Sequence, residues 1–246
     1  MISLGPGDSA YLAPAARQAL ERCEVVVGYK AYMELVDADV LAGKETLSTG
    51  MRGEIARCRT AVERCMNGKE TALISSGDAG IYGMAGLVLE ILDQEGLMEQ
   101  LEVEIIPGIP ALASAAALLG APLMHDFAVV SLSDLLTPWE LIRKRIEVAA
   151  AADFVIVIYN PRSKKRNWQL EEAIGIVRAH RDLHTPVGVV RNAARKGESV
   201  LVTTLDDLPV DRVDMLSILI IGNTSTRVLG GRMVTPRGYM EKYETA

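Results

Sequence analysis

Short, solidly apolar runs alternate along the chain with longer stretches in which apolar residues return every three or four positions. ISL near the start, VVVG at 25–28, TALISS at 71–76 and VEIIPG at 103–108 have the unbroken aliphatic character of strands buried on both faces. Between them the periodicity predicts helices over 14–23, 53–66 and 84–95, and the small-residue run PALASAAALLG predicts another. Pro14 suits a first helical turn, and Asn67-Gly68 and Gly96 are stop signals.

The segment GAPLMHD breaks this pattern, which places a domain boundary near Gly120: a first domain over 1–119 and a second over 120–246. In the second half FAVVSL, FVIVIYNP, PVGVV, SVLVTT and LSILIIG read as strands, with RMVTPRGY adding a short last one. Thr137-Pro138-Trp139-Glu140 reads as a capping box opening a helix, and a further helix is predicted over 168–180. Strands separated by helices predict an α/β protein of two domains, with mainly parallel sheets covered on both faces.

With only 4% aromatic residues the core must be aliphatic. Lysine and arginine number 26 against 32 acidic residues, a formal charge of −6, which argues against a general nucleic-acid binder. No apolar run approaches the roughly 18 residues of a membrane span. Met1 leads almost directly into the first strand with no signal-like segment, so a cytoplasmic chain is expected. The three cysteines lack metal-ligand spacing and read as buried thiols of a reducing compartment, with no protein-bound metal.

The run GPGDSA from Gly5 fits the loose dinucleotide fingerprint G-x-G-x-x-G/A. Three features oppose that use. The helix begins only at Pro14, Gly28-Tyr29-Lys30 stands where a ribose-binding acid belongs, and Pro6 removes one N–H from the anion nest. The loop has companions, however, at 75–83 (SSGDAGIYG), 107–111 (PGIPA) and 159–166 (YNPRSKKR). In α/β sheets ligands bind beyond the carboxyl ends of strands, where glycines let backbone approach closely.

Taken in order, SLGPGD, SSGDAGIYG, PGIPA, YNPRSKKR, IIGNTSTR and MVTPRGY resemble the tetrapyrrole methylases across essentially the whole chain. The resemblance implies a class III methylase fold of two α/β domains, S-adenosylmethionine held in a trough between them, S-adenosylhomocysteine as product and a homodimer. VVVGYK, GAPLMHDFAVVSLSDLLTPW, YNPRSK and MVTPRGY are similar to the cobalamin-pathway C17-methyltransferases. These act on precorrin-3B or cobalt-factor III and contract the ring. Another precorrin methylation, or a tetrapyrrole-binding module without catalysis, stands as the alternative.

The resemblance assigns cofactor contacts to Pro6, Ser76, Gly77, Asp78, Ile81, Pro110, Ala111, Tyr159, Asn160 and Ala193. Asp78 also reads as an Asx-type turn residue. Tyr29 occupies the position where uroporphyrinogen methylases carry an aspartate base, so that role does not transfer. Ring contraction requires proton transfer, for which Tyr29, His125, Asp126, Ser131 and Asp134 are the ionisable or hydroxylic candidates, with Tyr29, His125 and Asp134 foremost. Asp134 also reads as a local cap, and His125 as a hinge or core residue. A tetrapyrrole rich in carboxylates calls for basic donors. Lys30, Arg162, Lys164 and Arg191 are the leading candidates, with Arg52, Lys165, Arg166, Arg195 and Lys196 beside them.

Overall fold

The computed structural model describes residues 1–243. Two compact units divide the chain, Met1–Ala111 and a second beginning at Leu112. The first contains β1 (Ile2–Ser3), α1 (Pro14–Arg22), β2 (Val25–Tyr29), α2 (Lys30–Met33), α3 (Ala38–Leu41), β3 (Glu45–Thr49), α4 (Glu54–Met66), β4 (Thr71–Ser75) and α5 (Ala85–Gln94). Its sheet has the order β1-β4-β2-β3 and every pairing is parallel. Successive residues of β4 serve opposite faces: Ala72 and Ile74 pack with Leu20 and Val40 from α1 and α3, whereas Leu73 packs with Cys58, Val62 and Leu92 from α4 and α5. Both faces are therefore covered, which is why the strands read as continuous apolar runs. The parallel order brings the carboxyl ends of all four strands to one edge.

Two sequence expectations change in this unit. VEIIPG at 103–108 does not form a strand; only Ile106 bridges to Ile2. β1 offers two residues to pair with, and Pro107 carries no N–H with which to continue. Conversely, ETLST forms β3, an edge strand with a mostly exposed surface and hence no apolar run to announce it.

The second unit begins within α6 (Ala111–Leu119), which runs directly into β5 (Gly120–Ala121). β6 (Phe127–Ser131), α7 (Trp139–Ala151), β7 (Val155–Tyr159), α8 (Gln169–Arg178), β8 (Pro186–Arg191), β9 (Ser199–Thr204), β10 (Ser217–Ile221), β11 (Arg227–Leu229), β12 (Arg232–Val234) and α9 (Tyr239–Tyr243) follow. The division thus comes at the start of α6 rather than at Gly120. β5 pairs with β12, and Leu119 packs so closely on β8 that a Cβ on Gly188 would lie 2.3 Å from its Cδ1.

The five-stranded sheet has the order β6-β7-β10-β8-β9. Only β6 and β7 pair in parallel; the other pairings are antiparallel. The expectation of mainly parallel sheets therefore holds for the first unit, and the second is mixed. The 192–198 connection accounts for the antiparallel β8–β9 pair, because so short a link permits only a hairpin. It turns through Asn192, Ala194 and Gly197, at φ 51°, 53° and 79°. Since β10 opposes both β7 and β8, the carboxyl ends of β6, β7 and β8 still share one edge. α7 begins at Trp139 behind Pro138, with no side-chain cap bond. Thr137 sits one residue outside the capping position, so the predicted capping box does not form.

Burial in this aliphatic interior pushes the Cys58 thiol up to about 11. The folded state then holds a proton that the unfolded chain releases from about pH 8.5 upward, so stability falls as pH rises toward 11. The expected slope from this group is up to about 1.4 kcal/mol per pH unit. Urea unfolding between pH 8 and 11 should show a shallower decline for Cys58→Ala than for the parent chain.

Candidate functional site

In the first unit, the loops following β1 and β4 and the 107–111 turn meet at one place. Gly5 and Gly77 exchange hydrogen bonds, Gly5 N–H to Gly77 O at 3.1 Å and Gly77 N–H to Gly5 O at 2.7 Å. Gly108 lies against both: a Cβ there would be 2.4 Å from Gly77 O, 2.6 Å from Ser3 Cβ and 3.2 Å from Gly5 N. Gly5 and Gly77 have φ of 71° and 67°, in the left-handed region that favours glycine. Pro6 is buried beside Gly5.

Asp78 fastens this arrangement. One carboxylate oxygen accepts Gly80 N–H at 2.8 Å and the other accepts Gly108 N–H at 2.9 Å. It is thus both the Asx-turn residue and the tie between two loops. Ser3, fully buried, accepts Ala79 N–H through Oγ at 2.9 Å. Pro110 and Ala111 close the cluster, since a Cβ on Gly77 would stand 3.7 Å from Pro110 Cα and 3.8 Å from Ala111 N. Ile81 is partly exposed on the same loop at 37%. The candidates Pro6, Ser76, Gly77, Asp78, Ile81, Pro110 and Ala111 therefore belong to loops that converge at one place beyond the strand ends.

Tyr29, at the end of β2, meets Tyr32 edge-on at 5.2 Å and lies under the Arg57 guanidinium at 5.6 Å. Lys30 is exposed at the first position of α2. Sequence reasoning overlooked Arg57 and Gly108. An arginine at the inward-facing position of α4, one turn before Ala61 and next to Cys58, was the available signal for the first.

In the second unit, the ends of β6 and β7 carry a polar network. Asn160, at φ 49°, donates from Nδ2 to Ser131 Oγ at 2.9 Å, and its carbonyl accepts from Arg166 Nη1. Arg166 is buried and also reaches Met215 Sδ at 3.2 Å. Burial pulls its guanidinium below the ordinary value, and the charge of Asp134 works against that shift. Asp134 accepts Gln169 Nε2 at 2.9 Å and stands 4.0 Å from Arg166 Nε. Tyr159 uses its hydroxyl to accept Leu112 N–H at 2.9 Å, satisfying a donor in the first turn of α6.

The remaining candidates scatter. His125 is exposed at the amino end of β6, and its Nδ1 accepts Asp126 N–H at 2.9 Å. Five residues of strand, about 17 Å, separate that end from the one bearing Asp134. His125 and Asp126 therefore do not share a site with Asp134 in this unit. Arg162 pairs with Asp211 and the Val210 carbonyl, both at 3.0 Å, and Arg191 pairs with Asp214 at 2.9 Å. Lys164 and Lys165 are exposed, and Ala193 lies in the β8–β9 connection between two left-handed residues. A polar depression of about 430 Å³ at the amino ends of β2 and β3 offers nothing to a ligand. Its cations Arg22 and Lys69 are held by carboxylates and Lys44 by carbonyls. Among the described residues no group of three or more His, Cys, Asp or Glu is placed to hold a metal ion. No helix among them is long and apolar enough to cross a membrane.

Comparison with known proteins places these loops in a family. Residues 1–209 match the family described as Tetrapyrrole (Corrin/Porphyrin) Methylases. A relative from Salmonella typhimurium, named probable cobalt-factor III C(17)-methyltransferase, is 52% identical over 97% of this chain and 98% of its own. The crystal structure of the methyltransferase CobJ matches with a TM-score of 0.91 and 34% identity, over 96% of this chain and 98% of that one. A uroporphyrin-III C-methyltransferase of Thermus thermophilus, complexed with S-adenosylhomocysteine, shares the fold. Its TM-score is 0.64 and its identity 24%, over 90% of this chain and 95% of that one.

The glycine contacts yield a direct test. Gly108→Ala must push three backbone segments apart and should destabilise the chain by about 1–3 kcal/mol. Gly86→Ala, within α5 where nothing lies within 4 Å of the new Cβ, should be neutral or stabilising. Urea midpoints of the two variants against the parent chain measure the contrast.

Proposed function

The chain belongs to the tetrapyrrole methylases, and we propose that it methylates C17 of a cobalamin-pathway tetrapyrrole with accompanying contraction of the ring. Cobalt-factor III is the preferred substrate and precorrin-3B the second, with S-adenosylmethionine as methyl donor. The near-full-length likeness to the Salmonella relative carries this reading. The convergence of the Gly5, Gly77 and Gly108 loops beyond the strand ends supports the cofactor, because ligands of α/β sheets bind there against closely approaching backbone.

S-adenosylmethionine supplies an activated methyl group, so the protein's task is chiefly alignment, which is worth about 7–11 kcal/mol in favourable systems. Gly5, Pro6, Gly77, Gly108, Pro110 and Ala111 would hold the cofactor along backbone, with Ile81 as an apolar rim. Pro110 has no N–H, so its contribution is shape. Asp78 acts at one remove, keeping two of these loops in register through Gly80 and Gly108. In the second unit Asn160, Ser131 and the Tyr159 ring would line the site beyond β6 and β7. Ala193 would contribute from beyond β8.

Contraction needs a group that holds or moves a proton. Asp134 is the assigned group, because Gln169 fixes one oxygen and Arg166 stands near the other. Arg162, Lys164, Arg191 and Lys30 would meet the substrate's carboxylates, Arg162 and Arg191 exchanging the partners they now hold. The enzyme is expected to work as a homodimer, and light scattering should return twice the mass of one chain.

Mass spectrometry of the purified chain with S-adenosylmethionine and each tetrapyrrole tests the assignment. A singly methylated, contracted product and stoichiometric S-adenosylhomocysteine are expected; absence of both from folded protein overturns the reading. Asp134→Asn should accumulate a methylated, uncontracted product. Unchanged contraction by that variant eliminates Asp134.

A further inference from the structure

Cations in the first unit are distributed unequally. Away from the carboxyl ends of β2 and β3 they are neutralised: Arg17 by Asp37, Arg22 by Glu70 and Glu104, Arg59 by Glu95, Arg64 by Glu45 and Lys69 by Glu24. Lys44 spans two backbone carbonyls. Lys30, Arg52 and Arg57 have no carboxylate partner among the described residues, and all three belong to the carboxyl ends of β2 and β3. Lys30 follows the last residue of β2, and Arg52 lies just beyond β3. Those ends are adjacent because Tyr29 pairs with Thr49 in the parallel register.

Arg57 is the informative member. It is only 3% exposed, yet only neutral groups hold it: Thr49 Oγ1 at 2.9 Å, Gly50 O at 3.1 Å and Met84 Sδ at 3.2 Å. The Tyr29 ring lies 5.6 Å from its guanidinium carbon. A guanidinium taken out of water without a counter-charge is unfavourable unless something else supplies that charge. The acids nearest in sequence, Glu34 and Glu54, are exposed and form no ion pair with any of the three. Arg162 and Arg191 in the second unit, by contrast, already hold Asp211 and Asp214.

We propose that the carboxyl ends of β2 and β3 form an anion site for an organic carboxylate on the edge of the tetrapyrrole, contacted by Lys30 and Arg52 with Arg57 as the positioning residue beneath. Arg57 fixes the Gly50 turn and the Tyr29 ring and lends the site a charge that forms no ion pair with an acid among the described residues. The inference rests on the methyltransferase reading and adds a substrate subsite to it. The shared chemistry, a carboxylate, also occurs on the amino-acid end of S-adenosylmethionine, so the test separates the two sources.

Uroporphyrin, a fluorescent polycarboxylate tetrapyrrole, serves as the binding probe, with S-adenosylhomocysteine affinity measured in parallel on the full chain. The double variant Lys30→Ala/Arg52→Ala should weaken uroporphyrin binding by about ten-fold or more, reduce its salt dependence, and leave S-adenosylhomocysteine affinity unchanged. Arg59→Ala/Lys69→Ala removes the same charge from paired positions and should leave both affinities unchanged. Arg57→Lys keeps the charge but loses the three-way grip, and should weaken the probe less than Arg57→Met does. Equal weakening of uroporphyrin by the two double variants reduces the effect to net charge and overturns the site. Selective loss of S-adenosylhomocysteine instead assigns the carboxylate to the cofactor and also overturns it. Parent-like uroporphyrin binding by Lys30→Ala/Arg52→Ala, with S-adenosylhomocysteine bound normally, overturns the subsite alone. Failure of the parent chain to bind either molecule overturns the methyltransferase reading with it.

Discussion

The first unit depends on one steric constraint: backbone must meet backbone where β1, β4 and the 107–110 turn converge. A Cβ on Gly108 would stand 2.4 Å from Gly77 O and 3.2 Å from Gly5 N, so no side chain fits there, while Gly5 and Gly77 are joined by paired backbone hydrogen bonds at positive φ. Asp78 then converts proximity into a fixed geometry, because a carboxylate can accept two N–H groups at once while an amide side chain offers only one oxygen. Everything the unit presents at its strand edge is referenced to that contact. The resulting surface is made of main chain, and shape and backbone polarity outweigh side-chain chemistry there. Such a surface suits a reaction whose reactive group arrives with the donor.

The second unit solves a different problem with different means. Its strand ends carry Asn160, Ser131, Asp134, Arg166 and Gln169, joined through side chains rather than through backbone. A buried polar network of this kind specifies one arrangement only while its members are satisfied. The Gln169 Oε1 is buried without a partner among the described residues, so this network is less completely closed than the glycine cluster. One unit is therefore organised around exclusion of side chains, and the other around side chains held by each other.

The parallel sheet of the first unit was legible because both of its faces are buried, and solid apolar runs are what such burial requires. β3 escaped notice for the converse reason, being an exposed edge. The glycine loops were legible as a set, but the contact between Gly5 and Gly77 was not, because the 71 residues between them carry no local mark of it. The failure at 103–108 came from pairing: apolar character was present, but β1 was too short to receive a full strand. Among the site residues, the Asx-turn reading of Asp78 matches its bond to Gly80, whereas its second bond, to Gly108 thirty positions on, had no mark in the sequence. The partners of Arg162 and Arg191, Asp211 and Asp214, lie twenty or more positions away in sequence, beyond what a basic cluster can reveal.

The hairpin of β8 and β9 also bears on the order in which the chain can assemble. Its strands are joined by the 192–198 connection and need no distant partner, so they can pair within microseconds of being available. β1 is in the opposite position, since Ile2 pairs with Ile74 and must wait for β4. During synthesis the first strand to emerge is thus among the last of its sheet to find its neighbour. The glycine cluster that depends on β1 cannot close before that wait ends.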